Sequence, residues 1–432
     1  MAYYSIFPEK DTTLYSHPSR KEMNSGGDEI LELVKERGDT NNILYPSRYV
    51  IKFKNEEVTK VMELINTKKN LGSLKFQQQM TRGYINDLPN FNGTSFSASL
   101  HIYSVNPTNL TTVQNIKLHA VSQSWDEGTG RYSNLPKTTN GSSWIYKSSL
   151  DSGFKWATSS FGVNATGSIS SSLITHGGGN WFINGTGDAE YTGFEYSQQF
   201  LTGDSLDINV DIAQLISKNY IYHSTTAENG LYKGIKDVFT DDDFYPWALP
   251  NNGLIVKLPD GIELNVSHSL GELNYFSVDT HTIYPPKLTF KWDDSITHIS
   301  QSVLNPKIKI SGSLDVSVYR NKEEYNQNDI ATIRLHVRDK YPTRTFSTTS
   351  NNLNVGYFTT QSFYSVRDAH TEEEIIPFDS NNTKLSSDNN GMFFKMYMQG
   401  LQPERYYRFL FKHINDDGVT VYDNDYHFKI VR

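Results

Sequence analysis

Seven consecutive residues, Leu206-Asp207-Ile208-Asn209-Val210-Asp211-Ile212, alternate strictly between apolar and polar side chains. A period of two places one set of side chains on each face of a β-strand. The same alternation is found in Ser97–Tyr103 and in Ile116–Val121, and further strands are predicted at Gly253–Leu258 and Leu288–Trp292. Long loops rich in Gly, Ser, Thr and Asn separate these strands. Short strands with long, irregular connections predict a jelly roll or another large β-sandwich.

The C-terminal part of the chain predicts a second β-rich unit. Strands are predicted at Ile308–Ile310, Leu314–Tyr319, Ala331–Val337, Phe363–Arg367, Met392–Met398, Tyr406–Ile414 and Tyr426–Val431. Asn415-Asp416-Asp417-Gly418 is typical of a hairpin turn. About seven strands in a segment of this length favour an immunoglobulin-like or fibronectin-type sandwich. The sequence therefore predicts a mainly β chain with a jelly-roll-like domain at 46–294, a linker at 295–304 and a sandwich at 305–432.

Residues 1–45 are predicted to form an N-terminal arm with one short helix. Gly26-Gly27-Asp28 would open the helix, Ile30, Leu31 and Val34 would form its apolar stripe, and Gly38 would end it. A helix this short is marginal alone, so it is expected to dock on its own body or on a neighbouring subunit. The residues predicted to bury apolar surface on a neighbour are Tyr3, Tyr4, Ile6, Phe7 and Ile30. A second, amphipathic helix is predicted after Asn55, with Val58, Val61, Met62 and Ile65 on one face.

Composition narrows the classes of function. The chain has 432 residues and no cysteine, which excludes thiol catalysis, disulfides and cysteine-based zinc sites. Its net charge of −8 argues against a broad nucleic-acid surface. The N-terminal residues lack the pattern of a signal peptide, and no apolar run approaches the ~18 residues of a membrane span. Synthesis in the cytoplasm of the producing cell, without membrane insertion, is therefore expected.

The middle domain resembles the DNRLRE family, a jelly-roll module related to carbohydrate-binding domains and found in bacterial surface and phage proteins. The segments that carry the resemblance occur in the family's order: Ala98–Tyr103, Val121–Gly128, Leu135-Pro136 followed by Trp144, Val210–Ile212, Asn252–Val256, Phe276-Ser277 and Pro286–Leu288. Insertions at 153–190 and 219–250 depart from the family pattern, so a shared ligand site does not carry over.

Two further resemblances concern the C-terminal unit and the whole chain. Leu401–Tyr407 is similar to the tyrosine corner of fibronectin-type sandwiches. The whole chain, especially Tyr3–Asp11 and Tyr364–Ala369, resembles virion structural proteins of large contractile-tailed marine phages. This resemblance implies a virion component, often near the tail or baseplate, that contacts other virion proteins and forms a homo-oligomer or a symmetric ring.

Two groups of residues are candidate binding sites. Asp241, Asp242 and Asp243 offer hard oxygen ligands for calcium, although their spacing does not follow an EF-hand, and a solvated loop is the simpler interpretation. Four tryptophans in or near loops are candidates for stacking on a glycan or contacting a partner, with a core position as the alternative: Trp144, Trp156, Trp181 and Trp247.

Two motifs suggest catalysis, but each has a simpler structural interpretation. Asp126 and Glu127 would have to lie ~5–9 Å apart to hydrolyse a glycoside, and as neighbours on a turn they are expected to bond backbone amides instead. His176-Gly177-Gly178-Gly179 resembles an esterase oxyanion-hole stretch, but it lacks the accompanying Gly-x-Ser-x-Gly, and a flexible loop is predicted there.

The sequence thus predicts a non-enzymatic structural subunit of a phage particle, in its tail, baseplate or neck region, that has no cofactor and acts through subunit contacts. The alternative is a glycan-binding, host-recognising adhesin module of the tail. A polysaccharide-degrading enzyme is the third interpretation.

Overall fold

The fold is known from a computed structural model. The structure describes residues 2–38, 43–66, 96–108, 113–149, 155–156, 177–184, 193–201, 203–226, 249–263, 271–295, 314–319, 321–341, 356–358, 361–388, 390–415 and 418–432. The chain forms two compact units. The C-terminal unit comprises residues 1–5, 94–96 and 290–432, and the central unit comprises residues 6–93 and 97–289. The prediction of a mainly β chain is confirmed, because most described elements are strands of antiparallel sheets.

The central unit is built on one large antiparallel sheet. In order across the sheet, its strands are β2 (Pro8–Tyr15), β5 (Leu44–Phe53), β11 (Leu254–Lys257), β8 (Val113–Ala120) and β9 (Glu195–Leu201). A short strand, β4 (Lys35–Arg37), also pairs with β5. β11 lies in the middle of the sheet and is buried along its whole length, which explains why its sequence is apolar without alternation.

The remaining elements of the central unit flank this sheet. A three-stranded sheet contains β3 (Ile30–Leu33), β12 (Glu272–Phe276) and β7 (Ser104–Thr108). β6 (Phe96–Ile102) pairs with β10 (Ile208–Asp211), the strand predicted from strict alternation. The helices are α1 (Asn55–Asn66), α2 (Ala213–Thr226) and α3 (Asp260–Glu263). α1 confirms the predicted amphipathic helix, because Val58, Val61, Met62 and Ile65 are all buried, and it contacts α2.

The prediction of an N-terminal helix is wrong. The segment that contains Ile30, Leu31 and Val34 forms β3 and β4 instead. Leu31 and Leu33 are buried and alternate with half-buried neighbours, and β3 pairs with β12 in register from Leu33↔Leu273 to Ile30↔Phe276. A ten-residue helix gains little from its own hydrogen bonds, whereas pairing with β12 supplies both the hydrogen bonds and a buried face.

The prediction of a separate N-terminal arm is also wrong. Residues 6–38 belong to the central unit, where β2 pairs with β5 over nearly its full length. Tyr3, Tyr4 and Ile6 are at most 7% exposed within the chain itself, while Phe7 and Ile30 are half-buried. The buried three have no apolar surface left for a neighbouring subunit, because the sheet partners of the same chain already cover them.

The C-terminal unit contains two antiparallel sheets. One has the strand order β14 (Leu314–Tyr319), β16 (Ile330–Asp339), β20 (Gly391–Tyr397) and β19 (Ser386–Asp388). The other has β15 (Glu324–Asn326), β22 (Gly418–Val431), β21 (Tyr406–Asn415), β17 (Ser362–Asp368) and β18 (Glu374–Ile376). β15 pairs with β22 in parallel. Residues of both sheets share one aromatic-rich core, in which the Tyr364 and Phe394 rings stack with centroids 4.2 Å apart.

The predicted tyrosine corner is present. The Tyr407 hydroxyl accepts the backbone N–H of Gln402 at 2.9 Å and donates to the Gln402 carbonyl at 3.1 Å. β1 (Ala2–Ile6) lies beside β13 (Lys287–Trp292) in a further sheet, and Tyr3 belongs to the core of the C-terminal unit. The Tyr4 hydroxyl donates to the side chain of Gln399. The first five residues therefore complete the C-terminal unit rather than extend from it.

Candidate assembly surface

Three of the four tryptophans proposed for glycan contact lie in the core. Trp144, Trp156 and Trp181 are at most 3% exposed and form one cluster with Trp125. The Trp156 indole N–H donates to the Ser143 carbonyl at 2.9 Å, so its polar atom is also satisfied inside the fold. Buried rings cannot stack on a glycan, and the alternative of a core position is the correct one. Trp247 lies outside the described residues.

A buried ion network fixes these tryptophans. The Arg48 guanidinium donates to the two carboxylate oxygens of Glu263 at 3.1 and 2.8 Å, and neither side chain is exposed. The same guanidinium lies 4.6 Å from the ring of Trp144 and 5.0 Å from that of Trp181. The Lys257 ammonium lies 3.4 Å from the Glu263 carboxylate. Opposite charges and aromatic faces thus compensate the cost of burying these cations.

The glycine triplet proposed as a flexible loop is a packing element. Gly178 has a φ of +75°, and its carbonyl accepts a hydrogen bond from Arg48 at 2.7 Å. A Cβ at this position would lie 2.7 Å from the Trp144 ring, and one at Gly179 would lie 2.5 Å from Ile255. Glycine is required here because the backbone approaches the core closely. His176 lies outside the described residues.

Glu127 holds a turn, as predicted for the Trp125–Gly128 motif. Its carboxylate accepts the backbone N–H of Asp11 at 2.9 Å. The Asp11 carboxylate in turn accepts the Ser277 hydroxyl and the Val278 N–H, both at 2.8 Å. Burial raises the pKa of Asp11 to about 7 and that of Glu127 to about 7. These groups tie the turn to β2 and to the segment after β12, while the neighbouring Asp126 accepts the Ser148 hydroxyl.

The calcium candidates Asp241, Asp242 and Asp243 lie outside the described residues. Across the residues that the structure does describe, no group of three acidic or histidine side chains is arranged to hold a metal ion. The helices in that same part of the chain include none that is long and apolar enough to cross a membrane.

The central unit carries an open pocket of about 520 Å³. It is lined by Asn184, Glu195, Tyr196, Asp211 and Gln214. The Asn184 side-chain oxygen accepts the backbone N–H of Glu195 at 3.1 Å, and Asp211 accepts the N–H of Ala213 at 2.9 Å where α2 begins. Amide and carboxylate groups of this kind can bind hydroxyl-rich ligands.

The C-terminal unit contains an exposed strand segment that carries two valines. The first part of β22, Gly418-Val419-Thr420-Val421-Tyr422, is exposed at all but its last position, with Val419 61% and Val421 49% exposed. Tyr422 packs inward, with its ring stacked on Phe358 at 5.6 Å. We call these five residues the β22 edge.

On one side, the backbone of the β22 edge pairs with β21, and on the other side it faces away from β21. Ile414 of β21 donates its N–H to Gln361 on the β17 side at 2.9 Å, so its polar groups face away from β22. Val419 is the partner of Ile414, and Val421 that of Lys412. Because polar groups of a strand alternate in direction, the N–H and C=O of Val419 and Val421 face outward, whereas those of Thr420 face β21. No other described strand pairs with that outward side.

A bulge ends the β22 edge. Phe411 pairs with Tyr422, but the next strand pair is Phe409 with Tyr426, so β22 carries two extra residues here. Asp425 within the bulge has a φ of +63°. Beyond the bulge, Lys429–Val431 pairs with β15. Among the described strands, β22 is paired on its outward side only at Lys429–Val431, and the bulge separates that stretch from residues 418–422.

Sequence reasoning missed this surface. The Asp-Gly turn and β21 were predicted, but β22 was predicted to begin at Tyr426 rather than at Gly418. The β-branched run Val419–Val421 directly after the turn was the available signal. Comparison of the chain with family models, curated proteins and solved structures finds no match.

Proposed function

We propose that this chain is a structural subunit of a phage particle that acts through subunit contacts. The observation that supports this proposal is the β22 edge, with its two exposed valines and outward-facing backbone groups. The resemblance of Tyr3–Asp11 and Tyr364–Ala369 to phage virion proteins supports the assignment to a particle.

Within residues 418–422, the β22 edge contains none of the residue types that normally prevent strand pairing, and no other described strand pairs with its outward side. Soluble proteins protect sheet edges with lysine, proline, a bulge or a covering segment. Residues 418–422 contain neither charge nor proline, and the first acidic residue, Asp423, falls where the bulge begins. An exposed edge with β-branched residues is a template for a strand from another chain. A subunit that must join neighbours needs such a surface.

The test is whether the chain belongs to particles and needs this edge to join them. Mass spectrometry of phage particles purified from producing cells should detect the chain in a fixed ratio to the other virion proteins. A Val421→Lys variant should be folded but reduced in particles at least tenfold, and the matched Val421→Thr variant should be incorporated normally. A chain that is abundant in cells and missing from particles would refute the proposal.

We propose glycan binding as the second candidate function, supported by the polar side chains of Glu195, Asp211 and Gln214 that line the open pocket. The adhesin hypothesis no longer involves the buried tryptophans. A glycan array with the full chain provides the test. Binding that Gln214→Ala abolishes and the exposed control Gln361→Ala retains would support it, and a signal no higher than background would exclude it.

A further inference from the structure

The β22 edge is complementary to itself. Its central residues read Val419-Thr420-Val421, which is the same in both directions. In an antiparallel pair of two such strands, the numbers of any two opposite residues add up to the same sum. Centring the pair on Thr420 therefore puts Val419 of one copy opposite Val421 of the other, on both sides of the two-fold axis.

We propose that the β22 edge pairs antiparallel with the β22 edge of a second copy of this chain, about a two-fold axis at Thr420. This inference rests on the proposed function, for which it names the partner and the register. The resulting contact is isologous, because both copies use the same surface. It has two-fold symmetry, which is the most common symmetry of soluble oligomers.

The direction of the backbone groups allows this register. Val419 and Val421 present their N–H and C=O outward, so each Val419–Val421 pair exchanges two hydrogen bonds, and the two pairs give four. Thr420 of one copy lies opposite Thr420 of the other, and the two form the non-hydrogen-bonded pair between the two valine pairs. A register shifted by one residue would place Val419 opposite a residue whose polar groups face β21, and those hydrogen bonds would be lost.

The side chains also match. Residues directly opposite in a strand pair lie on the same face, so four valines meet on the outer face of the joined sheets. The two Thr420 side chains meet on the inner face, the face that carries the buried His413 opposite Thr420 within each copy. Valine–valine and threonine–threonine pairs both stabilise neighbouring strands. No charge lies within the paired stretch.

The contact is small by the standard of stable dimers. Pairing of five residues buries less than the roughly 1,200 Å² typical of independent interfaces. Free copies are therefore expected to dimerise reversibly and to dissociate on dilution, whereas copies held close together in a particle would stay paired. A concentration-dependent equilibrium is thus the expected behaviour in solution.

The absence of cysteine from the chain makes the register directly testable. In the proposed pair the two Thr420 Cα atoms lie about 4.5 Å apart, within reach of a disulfide. The two Val419 Cα atoms are diagonal neighbours, about 7–8 Å apart, beyond that reach. Under a mild oxidant, full-length Thr420→Cys should form a disulfide dimer at least ten times faster than Val419→Cys. A mixture of the Val419→Cys and Val421→Cys chains should cross-link to each other.

A second measurement tests the hydrogen bonds. Val421→Pro removes an outward N–H that has no strand partner among the described residues, so the fold and its thermal midpoint should be retained. Sedimentation velocity should then show loss of the dimer, which Val421→Thr should retain. If Thr420→Cys stays monomeric, or cross-links no faster than Val419→Cys, self-pairing is wrong, even when the chain is found in particles. Cross-linking in solution by a chain that is missing from particles would instead refute the proposed function.

Discussion

Replacing Glu263 with glutamine should destabilise the central unit strongly. Glu263 accepts two hydrogen bonds from Arg48 and lies 3.4 Å from the Lys257 ammonium, and all three side chains are unexposed. Glutamine keeps the shape but leaves the buried Arg48 guanidinium facing a neutral amide, whereas Lys257 keeps its ion pair with Asp260. Removing one partner of a buried ion pair costs about 3–5 kcal/mol of unfolding free energy, and this is the expected loss.

Urea unfolding followed by tryptophan fluorescence measures this loss, because Trp144 and Trp181 lie against the Arg48 guanidinium. Glu9→Gln is the matched control in the same unit. Glu9 pairs with Lys52 at 3.3 Å but is 39% exposed, so its replacement should cost less than about 1 kcal/mol.

A double replacement distinguishes charge imbalance from lost packing. Arg48→Met combined with Glu263→Met removes the buried cation and its main anion together, and should be more stable than Glu263→Gln alone. A Glu263→Gln protein that loses no more free energy than Glu9→Gln would refute the view that this network holds the core.

Three further predictions concern other parts of the fold. Burial raises the pKa of Asp11 from 3.8 to about 7, so its contribution to stability is complete below about pH 4 and is lost as the pH rises to about 7; Asp11 alone should lower the unfolding free energy over this range by about 1.4 kcal/mol per pH unit, Glu127 with its similarly raised pKa adds to this slope, and Asp11→Asn should remove the Asp11 part. Tyr407→Phe should cost about 1–2 kcal/mol and speed amide exchange at Gln402, because both hydrogen bonds of the tyrosine corner are lost; unchanged exchange would contradict this. Gly178→Ala should lower stability by more than about 2 kcal/mol in urea unfolding, since its positive φ and its contact with Trp144 both exclude a Cβ; a neutral effect would show that the loop can shift.

Local patterns predicted those elements whose burial follows from their own periodicity. Strict alternation identified β10, and apolar residues at helical spacing identified α1. The tyrosine corner was also predictable, because its hydrogen bonds join residues only five apart in sequence. By contrast, Ile30, Leu31 and Val34 fit a helical stripe, and only pairing with the distant β12 makes that segment a strand.

The candidate sites were less predictable than the fold. For the tryptophans in loop-rich sequence, both glycan contact and a core position were open, because a loop is exposed only where no other segment packs over it. Arg48, Gly178 and Glu263 come from segments far apart in sequence, and together they enclose Trp144. No local pattern signals such a convergence, because it depends on which segments the sheet brings together.

By itself, the sequence determined that the chain is mainly β, lacks thiol chemistry and places a tyrosine corner before β21, because these properties depend on composition and near neighbours. Only the tertiary structure decided that the N-terminal residues belong to the two units, that Trp144 and Trp181 are buried against Arg48 and that the outward side of the β22 edge has no strand partner among the described residues. These outcomes depend on strand pairing between residues that are hundreds of positions apart, and each pairing settles at once which side chains are covered and which remain available to a partner.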